Sequence, residues 1–336
     1  SMQMLNLSDI RWLHIELTTK CNARCPMCMR NYRGMTHNSG YPLIELSLNQ
    51  IRHILPPNFL DQITHINLNG NLGDFGLATD AAEIVNYFLE HSKTHIQIET
   101  NASMRSPSWW AQLAHPRTTI LFALDGLADV HDLYRQDTNW HRIIANAQAL
   151  IQAGGRAIWK FIPFDHNRHQ LEQCRELSQE LGFEDFIIRD HERNQGPVFD
   201  RDGNFSHWLG QPNLHQPDAK AMVQVHMTRW RTDGNLPSLD QDEKCDIKCK
   251  SIQMQEIYIA ADGSVYPCCF LGFYPRTMQH PGNSQFRDWT IKNNALEWDM
   301  ATCIEWFAKV ESSWREQSIK AGRLYTCISC CGSVNR

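Results

Sequence analysis

Long apolar runs are missing from this 336-residue chain. None approaches the roughly eighteen residues a helix needs to cross a bilayer, so no membrane span is expected. Its first thirty residues hold no basic stretch leading into an apolar one, which argues against a secretory signal. Charge of one sign is not in excess either. A formal net charge of −5 gives no global electrostatic case for binding nucleic acid. Internal repeats and low-complexity tracts are absent. None of the sixteen histidines forms an H-E-x-x-H pair, and His14, His65 and His131 read as ordinary strand or loop residues. The eleven tryptophans read as core and packing residues. What remains is a chain with 42% hydrophobic residues, enough for one large domain and a small one.

Cysteine is the residue present in number. Twelve cysteines gather toward the two ends, with only Cys174 between them, and Cys174 lies on the apolar face of an expected helix. That distribution suits two metal sites in a reducing cytoplasm better than a disulfide network, so a cytoplasmic location is expected. Cys21, Cys25 and Cys28 form C-x3-C-x2-C directly after an apolar segment that reads as a strand. Soft thiolates select iron–sulfur clusters or zinc over hard cations. A structural zinc site more often shows two C-x2-C pairs. Three thiolates on one loop can hold three irons of a 4Fe–4S cube and leave the fourth open. The run resembles the cluster motif of radical S-adenosylmethionine (SAM) enzymes, in which the amino and carboxylate groups of SAM chelate that open iron.

Between Trp12 and about Asp190, β-rich runs alternate with helical patterns. Strands are expected at 12–17, 63–69, 94–100, 118–124, 157–164 and 184–189, and the clearest helices at 47–55, 78–91, 140–153 and 168–181. Such alternation predicts an α/β fold with a parallel sheet and right-handed crossovers. The resemblance implies an open, partial (βα)6 barrel within residues 1–195, with chemistry in the loops after the strands. Residues 196–244, rich in Asn, Gln, Asp, His and Gly, read as a linker or substrate-facing segment anchored by Phe205, Trp208, Leu209 and Trp230.

After the second strand comes Asn69-Gly-Asn-Leu-Gly-Asp74-Phe-Gly76. Glycines let a backbone approach a ligand closely. In the resembled family this loop is usually Gly-Gly-Glu-Pro and meets the SAM ammonium, a role the resemblance carries to Gly73 and Asp74. Here Asp74 stands for the glutamate and Phe75 for the proline. Asn101 ends the third strand, like the family's Thr-Asn-Gly segment along the ribose and methionine. Asp125 ends the fourth, like the family's Ser-x-Asp-Gly with Ala123 in the serine position. Lys160, on the fifth strand, is a candidate for the SAM carboxylate or a substrate anion.

Near the C-terminus, Cys249 and Cys268 flank an expected hairpin turning at Asp262-Gly263, and Cys327-x2-Cys330 follows. Four thiolates are enough to saturate a metal, and a zinc ribbon would use the same set. The arrangement resembles the twitch domain, the shortened SPASM extension. That resemblance implies a small α+β domain over 245–336, with a β-hairpin, a helix near 300–320 and one auxiliary 4Fe–4S cluster on Cys249, Cys268, Cys327 and Cys330. The neighbouring Cys245, Cys269 and Cys331 read as spectators or packing, and Cys303 as ambiguous.

The resemblance therefore implies an enzyme with SAM and two 4Fe–4S clusters as cofactors. It would generate a 5′-deoxyadenosyl radical and remove a hydrogen atom from a peptide or protein. A sugar- or aminocyclitol-like small molecule is the alternative substrate, and a zinc-stabilised binding module the alternative class. Expected partners are an electron donor such as flavodoxin or ferredoxin and a peptide-recognition protein, with no nucleic acid and no membrane.

Overall fold

The computed structural model describes residues 4–36, 41–190, 193–212, 215–224, 244–272, 285–286 and 288–333. Six strands follow in chain order: β1 (Trp12–Ile15), β2 (His65–Leu68), β3 (His95–Thr100), β4 (Thr118–Ala123), β5 (Arg156–Phe161) and β6 (Asp185–Ile188). Each pairs in parallel with the next, as in Leu13↔Ile66, Ile66↔Ile96, Ile98↔Ile120, Phe122↔Trp159 and Trp159↔Phe186. Helices cross between them, including α1 (Leu48–Ile54), α2 (Ala81–His91), α3 (Trp140–Gln152) and α4 (Leu171–Leu181). Ser47 starts α1 with a capping box, its hydroxyl accepting from Gln50 N while the Gln50 side chain accepts from Ser47 N. Gly182 ends α4 at φ +89°, a left-handed conformation that costs glycine little.

Successive side chains on a strand point to opposite faces, and here the two faces differ in chemistry. One set, with Leu13, Ile15, Ile66, Leu68, Ile96, Ile98, Ile120 and Phe122, is buried and joins the helices in the main core. The alternate set is mostly polar. His14, Glu99 and Lys160 line one cavity; Trp12, His65, Asn67, Gln97 and Thr119 line a second, toward the strand starts. The sheet is thus packed against its helices on one face and polar within its concave face.

The C-terminal hairpin joins this same sheet. Its first strand, β7 (Glu256–Ile259), runs parallel to β1, and β8 (Val265–Tyr266) returns antiparallel to β7. The order is β8-β7-β1-β2-β3-β4-β5-β6. An edge strand has backbone groups that need partners. Gln255 O accepts from Arg11 N and Trp12 N, and Ile259 O from Glu16 N, which occupies the outer edge of β1. The expected helix near 300–320 is two short ones, Met300–Ile304 and Phe307–Ser313. The break falls where buried Trp306 packs on Tyr266 and Phe286 and donates its indole N–H to Val265 O.

Within 196–244, Gly196–Phe199 and Phe205–Leu209 form an antiparallel hairpin. Val198 and Leu209 pack with Cys25, Tyr134, Ile162 and Phe164, so the hairpin covers the cysteine loop. Trp230 and the rest of 225–243 lie outside the described residues. No described helix is long and apolar enough to cross a membrane.

Glu256 opens β7 half-buried, and desolvation pushes its carboxyl up to about 7. A raised folded-state pKa gives stability that is fully present below the unfolded value and falls as pH rises toward 7. Glu256→Gln is therefore expected to raise the melting temperature at pH 8 and change it little at pH 5. Equal shifts at both values would show that this carboxyl titrates as it does in water.

Candidate functional site

Cys21, Cys25 and Cys28 sit on the loop leaving β1. Cys28 N donates to Cys25 O (3.1 Å), Asn31 N to Cys28 O (2.9 Å), and the Asn31 side chain to Cys25 O (3.3 Å), which winds the loop tightly. All three line one cavity of roughly 480 Å3 together with Gly73, Asp74, Asn101 and Lys160. Of the site residues expected from sequence in this half, only Asp125 is absent from that lining.

The thiols stand in a setting that calls for a cation. Burial pushes Cys25 up to about 11 and raises Cys21 further. Each has a side-chain donor aimed at its sulfur: Asn101 Nδ2 lies 3.8 Å from Cys21 Sγ, and Arg135 Nη1 3.8 Å from Cys25 Sγ. Hydrogen bonds to ligating sulfurs are among the levers that tune iron–sulfur clusters. Among the described residues no three His, Cys, Asp or Glu side chains converge on a single-ion site. A cube spreads its thiolates over separate irons, so three spaced thiols facing one cavity fit a cluster.

The glycine loop after β2 is held by close approach. A Cβ on Gly73 would lie 1.8 Å from Thr18 O, and one on Gly70 2.9 Å from a Glu16 carboxylate oxygen. Both positions therefore need glycine. Glu16, buried at the end of the first strand segment, accepts from Leu72 N (2.6 Å) and Gly73 N (3.0 Å). Asp74 Oδ2 accepts from the Thr100 hydroxyl (2.8 Å) and Gly76 N (3.0 Å), and Oδ1 from Asn101 N (2.8 Å). Burial still raises its carboxyl above the ordinary range, because desolvation outweighs those donors. Asp74 thus pins the glycine loop to the end of β3 and keeps acceptor capacity on Oδ1. Asn101 in turn bonds Asn22 Oδ1 (3.0 Å) beside the cysteine loop.

Deeper in the cavity, Lys160 is ion-paired with Glu99 at 3.1 Å. His14 stands beside them, its Nε2 hydrogen-bonded to Asn69 O, and burial lowers its pKa. Asp125 lies behind the wall, fully buried. It accepts from Arg135 Nε (2.7 Å) and Ile162 N (2.8 Å), and meets the cavity only through Arg135. Glu16, Arg135 and Tyr258 are the residues sequence reading passed over. The signal for Glu16 was a carboxylate placed among Leu13, Ile15 and Leu17; Arg135 offered none.

The C-terminal thiols form a second nest. Lys248 N donates to Cys331 O (2.9 Å), and Ile247 bridges Gly332, which zips the Cys245–Cys249 segment to the helix Tyr325–Cys331. Within it the Cys249 and Cys331 thiols share a hydrogen bond that favours the Cys331 thiolate. Cys268, half-buried, lies within electrostatic reach of Cys327 and Cys330. Trp314 Nε1 is buried without an oxygen or nitrogen partner and faces Cys327, whose thiolate it favours together with the Arg323 guanidinium. Burial still pushes Cys327 up to about 12. A buried indole donor and a cation beside clustered thiols fit a bound metal group. Cys269 lines the barrel cavity with Phe270 while staying within electrostatic reach of Cys330. Cys174 and Cys303 are buried in the main core.

Residues 15–177 match the family model described as the Radical SAM superfamily. No curated protein matches the sequence. Among solved structures, SuiB of Streptococcus suis is similar over 95% of this chain and 72% of SuiB, with a TM-score of 0.58 at 14% identity. SuiB bound to S-adenosylmethionine gives 0.56 at 13% identity, over 95% of this chain and 77% of that one. Native anSMEcpe with bound AdoMet gives 0.51 at 14% identity, over 93% and 88%. At such identities the likeness is one of fold. The first thiol set lies within the matched stretch, and its three thiols on one cavity fit a 4Fe–4S cluster.

Proposed function

We propose that Cys21, Cys25 and Cys28 hold a 4Fe–4S cluster, and that SAM lies between its open iron and the glycine loop. The observation that carries this reading is the single cavity shared by the three thiols, Gly73, Asp74, Asn101 and Lys160. Held there, the cluster would supply the electron for reductive cleavage of SAM, the source of a 5′-deoxyadenosyl radical able to abstract hydrogen. Asp74 Oδ1 and the Gly73 backbone meet the SAM ammonium; Lys160, held in place by Glu99, donates an N–H to the SAM carboxylate or a substrate anion. Asn101 orients the cysteine loop and the ribose end of the pocket. Asp125 acts at one remove, by holding Arg135 against Cys25.

The proposal extends to the second nest, with Cys249, Cys268, Cys327 and Cys330 as ligands of an auxiliary 4Fe–4S cluster. Cys331, paired with Cys249, packs against that set. The substrate we propose is a peptide or protein. Structures of the same fold support it: SuiB bound to precursor peptide SuiA, and anSMEcpe with bound AdoMet and Cp18Cys peptide. A flavodoxin or ferredoxin would supply the electron.

Anaerobically reconstituted protein is expected to hold about eight irons with matching sulfide, two cubes' worth. It should form 5′-deoxyadenosine from SAM when reduced. Stoichiometric zinc without sulfide, and no 5′-deoxyadenosine, would replace the enzyme reading with that of a zinc-stabilised module.

A further inference from the structure

The glycine loop is tied to the C-terminal strand by a buried hydrogen-bond relay. Glu16 Oε1 accepts from Leu72 N and Gly73 N, while Oε2 accepts from the Tyr258 hydroxyl at 2.5 Å. Asn71 Nδ2 donates to Cys269 O (2.9 Å) and lies 3.3 Å from the same hydroxyl. Glu16 and Tyr258 are 2% and 1% exposed, so water does not compete for these bonds. Tyr258 belongs to β7, far along the chain from the loop it supports, and its ring packs edge-on against His14. The next residue after Cys268 therefore both accepts from the loop through its carbonyl and lines the cavity with its side chain.

We propose that Tyr258 and Asn71 are positioning residues for SAM, coupling the glycine loop to residues 256–269. The role rests on the reading that SAM meets this loop. A carboxylate held by two amides and one hydroxyl fixes where those amides and their flanking carbonyls point. Take away the hydroxyl and Glu16 Oε2 loses its short charge-assisted bond, which weakens the hold of the carboxylate on the loop amides. Coupling of this kind is reciprocal: if the C-terminal strand orders the loop for SAM, bound SAM must steady the C-terminal strand by the same factor.

The test uses anaerobically reconstituted full-length protein. Tyr258→Phe keeps the ring packing and removes only the hydroxyl. It is expected to weaken SAM binding about tenfold, a size set by one charge-assisted hydrogen bond. Amide exchange at Leu72 and Gly73 should quicken. In the wild-type protein, SAM should slow exchange across residues 256–269, and this protection should vanish in Tyr258→Phe. A tyrosine that merely packed the core would not make SAM protect a distant strand. Asn71→Ala, which spares the core, should lower SAM affinity in the same direction. Unchanged SAM affinity in both variants, or wild-type exchange over 256–269 indifferent to SAM, overturns the coupling alone. A wild-type protein that binds no SAM overturns the SAM assignment, and this role with it.

Discussion

Replacing Cys21, Cys25 and Cys28 together by alanine is expected to remove about four irons and abolish 5′-deoxyadenosine formation, with the remaining iron still bound. The expectation follows from how separately the two thiol sets are built. The first lies on one loop after β1, wrapped by its own backbone turns and covered by the 196–209 hairpin through Val198 and Leu209. The second is closed by the 245–249 segment and the last helix, zipped through Lys248 N and Cys331 O. Cys269 reaches the first set's cavity but is not among the proposed ligands of the second. Metal binding is coupled to local folding, so loss of the first cluster should loosen its own loop and spare the C-terminal nest. Iron and sulfide content, with SAM turnover on the same sample, provide the check. Full iron retention with continued SAM cleavage would place the SAM-cleaving cluster elsewhere.

Some of this architecture was legible in sequence because it is local. Six strands and four helices declare themselves through alternation and three-to-four-residue spacing, and the observed elements begin and end within a few residues of those expected. The hairpin at Asp262-Gly263 was equally plain, since Gly263 takes φ +88° at the turn. What the hairpin pairs with was not. The union of β7 with β1 spans most of the chain and depends on an edge that only the folded barrel creates. The same limit hid Glu16 and Tyr258, whose bond joins residues 242 positions apart. The broken helix after Met300 shows another limit. No Gly or Pro interrupts 300–313, yet the helix breaks at Trp306, whose ring packs on Tyr266 and Phe286.

Within the site the division is similar. Cys21, Cys25, Cys28, Gly73, Asp74, Asn101 and Lys160 converge on one cavity, each at the end of a strand or in the loop that follows it. Strand ends are where a parallel sheet gathers its ligands, and the family resemblance picked out these positions among them. Asp125 sits at such an end too, but its side chain turns inward to Arg135. No periodic spacing relates positions 125 and 135, and only the short helical turn at His131–Leu133 brings them together.

Asp125→Ala is accordingly expected to lower stability by about 3–5 kcal/mol, the range for leaving one member of a buried ion pair alone. The Asp125 side chain is wholly buried, and that of Arg135 only 12% exposed. Its neighbours offer the guanidinium little else: Nη1 faces the Cys25 sulfur, and the ring of Tyr134 lies 5.2 Å away. Removing the carboxylate also strips the acceptor from Ile162 N. Against a total of about 5–15 kcal/mol for a folded domain, the loss is large. A guanidinium without its counter-ion would either draw water into the wall behind the cysteine loop or swing away from Cys25. Both outcomes disturb the cluster pocket from outside it. Asp125→Ala with Arg135→Met should recover much of the loss, because it replaces the stranded charge by apolar volume rather than leaving it buried. Anaerobic denaturant titrations of the two variants against wild type measure the difference. A midpoint for Asp125→Ala within error of wild type would show that the pair contributes nothing to holding Arg135 in place.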